Sequence, residues 1–265
     1  MPAPISPVVA LLRVVGFAEG VSCVALFLVA MPLKYAFDMP QAVRIVGALH
    51  GGLFLAFLAV LVLAMARRRW ALGRGLLAAI AAVVPFGTFI IDRRLIAWDA
   101  DPSGVITDHH RLGHALAAIN AWITQADRVA PAVSAWPVGH HLDHVLRAQA
   151  DIDALLGGSA PAQAAPRATL LGRILLAVGW IPRGRGRAPA TTLPQPVAAL
   201  ALQAGLAAAL TRQAALTPHL PAIATDPSRA AHPAFGGLTR AQWLRFASIH
   251  VHHHLRIVRD IARQG

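Results

Sequence analysis

Residues 243–261 read WLRFASIHVHHHLRIVRDI, a stretch in which apolar side chains recur at the spacing of a helix. Four histidines in five positions would also fit an engineered tag, but the dense apolar residues on both sides favour a native amphipathic helix. His250 and His254 are four residues apart, so they share one face of that helix. The stretch therefore predicts a helix that presents two imidazoles in the same direction.

A second predicted helix, which begins with WPVGHHLDH at residues 136–144, supplies a further imidazole. If His144 faces His250 and His254, the three nitrogens form a three-histidine metal site with an open coordination position. His140 shares a face with His144, and it is a candidate fourth ligand or a support for the ligands. The first helix of this region adds three more candidates that could approach the site, which are His109, His110 and His114. Of these, His110 is a second candidate for a supporting position or an alternative ligand.

The carboxylates around these histidines do not suggest a general base. Val251 stands where the HExxH motif of zinc proteases has its glutamate. Asp143 adjoins His144 but points roughly 100° away on a helix. No catalytic residue is assigned on this pattern. A bound metal would itself activate a water or a thiolate, and the alternative is a bundle that carries surface histidines.

The composition indicates a membrane protein, with 56% hydrophobic and 14% charged residues among 265. Apolar runs at residues 8–31, 42–66 and 72–91 are each about the ~20 residues that cross a bilayer. The predicted first span ends at residues 31–34, and Pro85 interrupts the third near its end. We therefore expect a three-helix transmembrane domain over residues 1–98, a polar linker over 99–104 and a second domain over 105–265.

Two ionisable side chains, Glu19 and His50, fall inside these spans at similar predicted depth. A charge within the hydrocarbon costs at least ~2.5 kcal/mol unless it has a partner, so we expect the two to form an intramembrane polar pair. The pair acts either as a helix-packing hydrogen bond or as a proton or ligand relay. Pairs of small residues four apart predict close helix packing, and they are Gly16 with Gly20 and Gly47 with Gly51.

After the linker, four amphipathic stretches predict a four-helix bundle, so the expected fold class is all-α. The stretches cover residues 107–129, 136–156, 197–216 and 239–263, and Thr239 is the expected N-cap of the last helix. Between the second and third lies a shorter apolar run at 170–182, followed by Arg183, Arg185 and Arg187. That run either docks the bundle on the membrane surface or packs on the bundle beside a solvated basic loop.

Four motifs in the first hundred residues resemble the small three-helix bacterial membrane family typified by YdzA. They are LRVVGFAEGVS at 12–22, AMPLKY at 30–35, VGALHG at 46–51 and PFGTF at 85–89. The resemblance covers roughly residues 10–95. It implies a location in a membrane and no particular chemistry.

Three features of the second half resemble the DinB/YfiT-like superfamily. They are Trp136 with His144 eight residues later, HPAFGGLTRAQW at 232–243 and HVHHHL at 250–255. The resemblance implies a four-helix bundle that holds a divalent metal, often zinc or nickel, on three histidines. His144, His250 and His254 fall on those positions. Some relatives are thiol-dependent transferases or isomerases, in which the metal activates a low-molecular-weight thiol.

These features predict an integral protein of the bacterial inner membrane that carries a metal-binding bundle. The bundle is either a metal-dependent transferase or hydrolase, or a non-catalytic metal-binding or sensory module. Expected partners are the lipid bilayer, a low-molecular-weight thiol and a second copy of the chain in a homo-oligomer. The arginines are dispersed along the sequence with few aromatic residues among them, which argues against nucleic acid as a binding partner. With three spans, five basic residues lie on one side of the membrane and four on the other, so the excess of positive charge that marks the cytoplasmic side does not decide the orientation. We expect the bundle to be cytoplasmic only because thiol chemistry is mostly cytosolic.

Overall fold

The computed structural model describes residues 5–158, 165–184 and 189–264. It divides the chain into two compact units, Met1–Gly104 and Val105–Gly265. The N-terminal unit is helical in its described part. Its helices are α1 (Pro7–Ala25), α2 (Met31–Ala36), α3 (Pro40–Arg68), α4 (Leu72–Val83) and α5 (Gly87–Ala100).

The first apolar helix does not end at residues 31–34, contrary to the prediction. A π-helical turn, Leu26–Ala30, joins α1 to α2, and the helix continues to Ala36. Proline lacks an N–H and its ring collides with the preceding turn of a regular α-helix. The wider turn, in which the Met31 N–H bonds to the Leu26 carbonyl, lets the chain pass Pro32 without breaking the helix.

A sharp turn separates α4 from α5. Val84 has an extended backbone, as expected of a residue that precedes a proline, so α4 ends before Pro85. Phe86 adopts a left-handed conformation with φ 65°. At Gly87 a Cβ would lie 2.0 Å from the Ala81 carbonyl oxygen, so only glycine fits where the chain folds back on α4.

The end of α5 returns to the level at which α4 began. Arg68 at the end of α3 forms a 2.7 Å ion pair with Asp99 near the end of α5. The Trp70 indole N–H donates to the Trp98 carbonyl at 3.1 Å. Arg74 in α4 donates to the carbonyl of Asp101 at 3.0 Å. Helices α4 and α5 therefore form a helical hairpin, with both ends at the same side of the unit.

This hairpin corrects the predicted third span over residues 72–91. Helix α4 has 12 residues and α5 has 14, which correspond to about 18 and 21 Å. Neither length reaches across a hydrocarbon core of ~30 Å. Asp99 and Ala100 also belong to α5, although the sequence predicted that the linker begins at residue 99.

Two helices of the described residues are long and apolar enough to cross a membrane. They are Pro7–Ala36, with 30 residues, and Pro40–Arg68, with 29. They pack side by side, with Phe57 of α3 against Gly16 of α1. Many large apolar side chains of this unit face outward, among them Val14 at 68% and Ile45 at 67% exposure. An outward apolar surface of this kind suits a lipid environment.

The C-terminal unit is built on four helices that share one apolar core. Helix α11 packs against α6 and α7, and α9 packs against the same two helices from the other side. The four are α6 (Val105–Ile119), α7 (Val138–Leu156), α9 (Ala199–Ala215) and α11 (Arg240–Gln264). The smaller elements are α8 (Leu170–Val178), α10 (Leu220–Thr225), β1 (Arg229–His232), β2 (Gly236–Thr239) and short 3₁₀ turns at Asn120–Gln125, Ala190–Thr192 and Thr217–His219.

Helix α11 begins at a reciprocal cap that the sequence partly predicted. The Thr239 hydroxyl accepts from the Gln242 N–H at 3.3 Å, and the Gln242 side chain accepts from the Thr239 N–H at 3.0 Å. This capping box fixes the start of the helix and thereby its rotational register. The β1–β2 hairpin directly before it was not predicted. It places His232 and Phe235 against the first turns of α11, where they contact Phe246.

Candidate metal centre

Three imidazoles from two helices converge in the C-terminal unit. His144 comes from α7, and His250 and His254 come from α11. One nitrogen from each ring lies within 4.8 Å of the others. The ring centroids are 4.7–5.1 Å apart, so no side chain intervenes. The structure thus brings together the three histidines that the sequence proposed.

The orientation of His144 is fixed by a backbone carbonyl. Its Nδ1 lies 2.6 Å from the Thr192 oxygen, which can only accept, so Nδ1 carries the proton. The lone pair then belongs to Nε2, which lies 3.2 Å from Nε2 of His250. Two nitrogens bound to one tetrahedral metal at ~2.0–2.1 Å are about 3.3 Å apart. The observed separation matches that of two ligands on one ion.

His254 is supported by a histidine that the sequence analysis did not single out. Its Nδ1 lies 3.0 Å from Nδ1 of His141, and Nε2 of His141 lies 2.9 Å from the Ser134 hydroxyl. If His141 donates to Ser134, it accepts from Nδ1 of His254. Nε2 of His254 then keeps its lone pair for a metal. Such a hydrogen bond to the second ring nitrogen is a usual partner of a metal-binding imidazole.

His141 takes the supporting position that was predicted for His140 or His110. Residues three and four apart both share a helix face, so spacing alone could not choose between positions 140 and 141 relative to His144. In the structure His141 is buried against α11, whereas His140 is only half-buried and does not join the group of three ligands among the described residues. His110 is exposed, and its ring contacts that of His109.

The other histidines of the first and last helices have separate roles. Nε2 of His109 bonds to the Gln213 carbonyl at 2.8 Å, which ties α6 to α9, and His114 is exposed. His252 is exposed, with Nδ1 2.7 Å from the Ser248 carbonyl. His253 is half-buried and contacts the ring of His254.

Aromatic side chains enclose the three imidazoles. Trp136 packs against His141 and His144, with ring centroids 5.3 and 5.4 Å apart. Phe246 stacks on His250 at 5.4 Å with an angle of 22° between the rings. His144 and His254 are buried, whereas His250 keeps some exposure. The site is therefore walled on two sides and retains access to solvent at His250.

The surroundings keep these imidazoles neutral. Burial lowers the pKa of His144 below the ordinary 6.5, despite the opposing hydrogen bond to Thr192. Burial, with the neighbouring imidazoles, lowers the pKa of His250 and His254 well below that value. The same causes lower the pKa of His141 to about 4. Neutral imidazole is the form that binds a metal, so the rings need not release a proton at neutral pH.

The carboxylate of Asp143, which adjoins His144 in the sequence, is engaged elsewhere. Asp143 is buried, and its Oδ2 accepts from Arg147 at 2.7 Å and from the Gln195 N–H at 2.8 Å. No carboxylate of the described residues belongs to the group formed by the three histidines. Val251, at the position of the missing glutamate, is buried with 1% exposure. The arrangement offers three neutral nitrogen ligands without a dedicated base.

Glu19 and His50, the predicted polar pair of the N-terminal unit, also lie close together. Nδ1 of His50 lies 3.8 Å from Oε1 of Glu19, which is longer than a hydrogen bond. The Ser22 hydroxyl lies 3.1 Å from the same Nδ1. Cys23, one helical turn after Glu19, belongs to the same group of side chains.

Comparison with known proteins assigns the N-terminal unit to a family. Residues 9–96 match the family described as a domain of unknown function, DUF3817. Over 84 residues the chain is 50% identical to the uncharacterized membrane protein YdzA of Bacillus subtilis (strain 168). The alignment covers 88% of that protein and 32% of this chain. Through its N-terminal unit, this chain belongs to the YdzA family. The predicted resemblance is thereby confirmed, and the YdzA-like part contains Glu19, Cys23 and His50.

The C-terminal unit matches a different family. Residues 183–261 match the family described as a protein of unknown function, DUF1569. This match includes His250 and His254, whereas His144 lies outside it. No solved structure matches the chain.

Proposed function

We propose that this chain is a membrane-anchored metalloprotein whose C-terminal unit is a DinB-like four-helix bundle. The observation that carries the proposal is the convergence of His144, His250 and His254, with two Nε2 atoms 3.2 Å apart. The tautomer set by Thr192 and the support from His141 are the features that hold metal ligands in place.

The donor set favours zinc or nickel, because imidazole suits these ions and no thiol or carboxylate of the described residues joins the group. Three protein ligands leave one position for a water or a low-molecular-weight thiol. A metal in this site would act as a Lewis acid and lower the pKa of that fourth ligand. We propose a metal-dependent transferase or hydrolase on this basis, with the three histidines as ligands and His141 as the group that orients His254.

A second candidate function is a non-catalytic metal-binding or sensory module. It is favoured by the engagement of Asp143 with Arg147 and Gln195, and by a group of three histidines that includes no carboxylate of the described residues. Turnover of glutathione-type conjugates by the metal-loaded protein would favour the enzyme. Metal binding without turnover across thiol-dependent and hydrolytic substrates would favour the module.

The proposal is tested by the metal content of the full chain purified in detergent. We expect the variant with His144→Ala, His250→Ala and His254→Ala to hold one equivalent less of transition metal than the unaltered chain. His252→Ala is the matched control, because this exposed histidine of the same helix lies outside the group. Equal metal content in the triple variant and the unaltered chain would contradict the proposal.

We further propose that the chain crosses the bacterial inner membrane twice and that α4 and α5 enter it from the cytoplasmic side. The hairpin returns to the end at which α1 begins, since the Ser6 hydroxyl bonds to Asp99 at 2.7 Å. Seven arginines then fall on that side, and one lysine and one arginine fall on the other. The seven are Arg13, Arg67, Arg68, Arg69, Arg74, Arg93 and Arg94, and the two are Lys34 and Arg44. The excess of positive charge supports a cytoplasmic position for the bundle.

A further inference from the structure

We infer that the N-terminal unit holds a second metal site, formed by Glu19, Cys23 and His50, for a divalent transition metal such as zinc. Glu19 and Cys23 are one turn apart on α1, and His50 faces them from α3. One ligand atom of each lies within 4.8 Å of the other two. The chain has a single glutamate and a single cysteine, and His50 is the one histidine of the first hundred residues. All three meet at one point.

The carboxylate of Glu19 has an oxygen with no partner. Glu19 is 1% exposed, and its Oε1 accepts no hydrogen bond although it is buried. An unsatisfied carboxylate oxygen inside a bilayer-spanning helix is costly. Nδ1 of His50 lies 3.8 Å from this oxygen, which is too long for a hydrogen bond. The two side chains therefore face a common point without bonding to one another.

The charges of the three ligands favour a dication over a proton at this point. A carboxylate, a thiolate and a neutral imidazole carry two negative charges, which a divalent ion neutralises. The neutral complex avoids the cost of burying a net charge in hydrocarbon. Cys23 is 2% exposed, and a simple Glu19–His50 pair would leave its sulfur unused. Sulfur and nitrogen ligands with one carboxylate are a set that zinc and related transition metals bind.

Neighbouring side chains orient the group. The Ser22 hydroxyl donates to the Glu19 carbonyl at 2.7 Å, so it can only accept from Nδ1 of His50 at 3.1 Å. This bond restrains the imidazole and leaves the lone pair of Nε2 for an ion. Thr88, in the first turn of α5, lies close enough to the Glu19 carboxyl group to interact with it. Gly20 permits this approach, since a Cβ there would lie 2.4 Å from the Thr88 hydroxyl oxygen.

Just after the turn of the α4–α5 hairpin, the buried Thr88 therefore lies close to Glu19. Helical breaks at membrane depth occur where the chain is buried in protein or lines a cavity. A cavity of about 470 Å³ lies beside this turn, and Thr88 and Phe89 line it together with the Arg13–Asp92 ion pair. The cavity extends from Ala10, near the start of α1, to Thr88.

Cobalt absorption of the full chain in detergent, under reducing conditions, tests the inference. Because Cys23 is the one cysteine of the sequence, a thiolate-to-cobalt charge-transfer band can arise only from this site. We expect the unaltered chain to show that band when titrated with Co²⁺ alone. Glu19→Gln should weaken the cobalt affinity measured by the band at least tenfold. Asp38→Asn, which changes an exposed acid of the same unit, should leave the affinity unchanged.

The outcomes separate this site from the histidine site of the bundle. The variant that lacks His144, His250 and His254 should lose one equivalent of metal and keep the thiolate band. If the triple-histidine variant loses one equivalent of metal but the thiolate-to-cobalt band is absent from the unaltered chain, the second site is overturned and the proposed function stands. Absence of the band in the unaltered chain overturns the inference, as does an unchanged affinity in Glu19→Gln.

Discussion

At the scale of single residues, the glycines of α1 determine how closely its neighbours approach. A Cβ at Gly20 would lie 2.4 Å from the Thr88 hydroxyl and 2.8 Å from the Phe89 ring. A Cβ at Gly51, on α3, would meet nothing within 4 Å. The small-residue pattern predicted close helix packing at both Gly20 and Gly51, but only Gly20 lies in close contact with another helix.

We therefore expect Gly20→Ala to destabilise the N-terminal unit by about 1–3 kcal/mol, the usual range for an overpacked site. Gly51→Ala is the control and should leave stability unchanged or slightly increased, because alanine favours the helix. Thermal unfolding of the detergent-solubilised chain, followed by size-exclusion fluorescence, measures both. Equal transition temperatures for the two variants would refute this account of α1 packing.

His232 of the β1–β2 hairpin should be neutral over an unusually wide pH range. It stacks on Phe235 and contacts Phe246, and burial lowers its pKa to about 4. Since the folded pKa lies below the unfolded value of about 6.5, this group's contribution to stability is complete above pH 6.5. It is lost as the pH falls toward 4. A histidine NMR titration, with His232→Gln used to assign the signal, should give a pKa of about 4 for His232. A pKa near 6.5 would contradict this prediction.

The three converging histidines were predictable from sequence, because the four-residue spacing of His250 and His254 places both on one face of α11. His144 followed from the second predicted helix, and the resemblance supported it. The role of His141 was not predictable, because it depends on the rotation of α7 about its axis. That rotation is fixed by packing against α11 and by the turn that brings Ser134 to His141.

At the scale of elements, the helices were predictable and the direction of α5 was not. Residues 72–91 are apolar and of spanning length, so hydropathy treats them as one span. The reversal depends on the extended Val84, the left-handed Phe86 and the contact of Gly87 with Ala81. The contacts that identify it join residues 27–31 positions apart, which no local pattern contains.

Helix α8 exposes an apolar face that the bundle does not cover. Its outward side chains include Leu170 at 70% exposure, with Leu171, Ile174 and Val178 beside it. Arg183 follows and pairs with Asp260, whereas Arg185 and Arg187 lie outside the described residues. An apolar helix face of this kind fits the sequence-based hypothesis that the segment contacts the membrane surface.

A spin label tests this contact in the full chain reconstituted in lipid. In a Cys23→Ala background, a nitroxide at Leu170→Cys should collide with lipid-soluble oxygen more than with a water-soluble relaxation agent. Leu200→Cys on α9, a leucine of similar exposure, is the control and should show the reverse. The same aqueous accessibility at both positions would reject membrane contact by α8.

At the scale of the whole molecule, the chain joins a YdzA-family unit to a unit that carries a histidine site. The hairpin places the start of α1 and the end of α5 at one side, so both termini should share one compartment. We expect a C-terminal green fluorescent protein fusion to fluoresce and a C-terminal alkaline phosphatase fusion to be inactive. Asp38→Cys, between α2 and α3, should react with an impermeant maleimide from outside intact cells. Phosphatase activity of the C-terminal fusion would contradict the proposed cytoplasmic position of the C-terminal unit.

The most direct test of the central claim is the X-ray absorption spectrum of the metal bound to the Cys23→Ser chain, in which only the bundle site keeps its full set of ligands. The account predicts three imidazole nitrogens at ~2.0–2.1 Å with one further light ligand. It also predicts loss of this signal in His144→Ala and its retention in His252→Ala. Absence of bound metal, or a spectrum that His144→Ala leaves unchanged, would show that these three histidines do not form a metal centre.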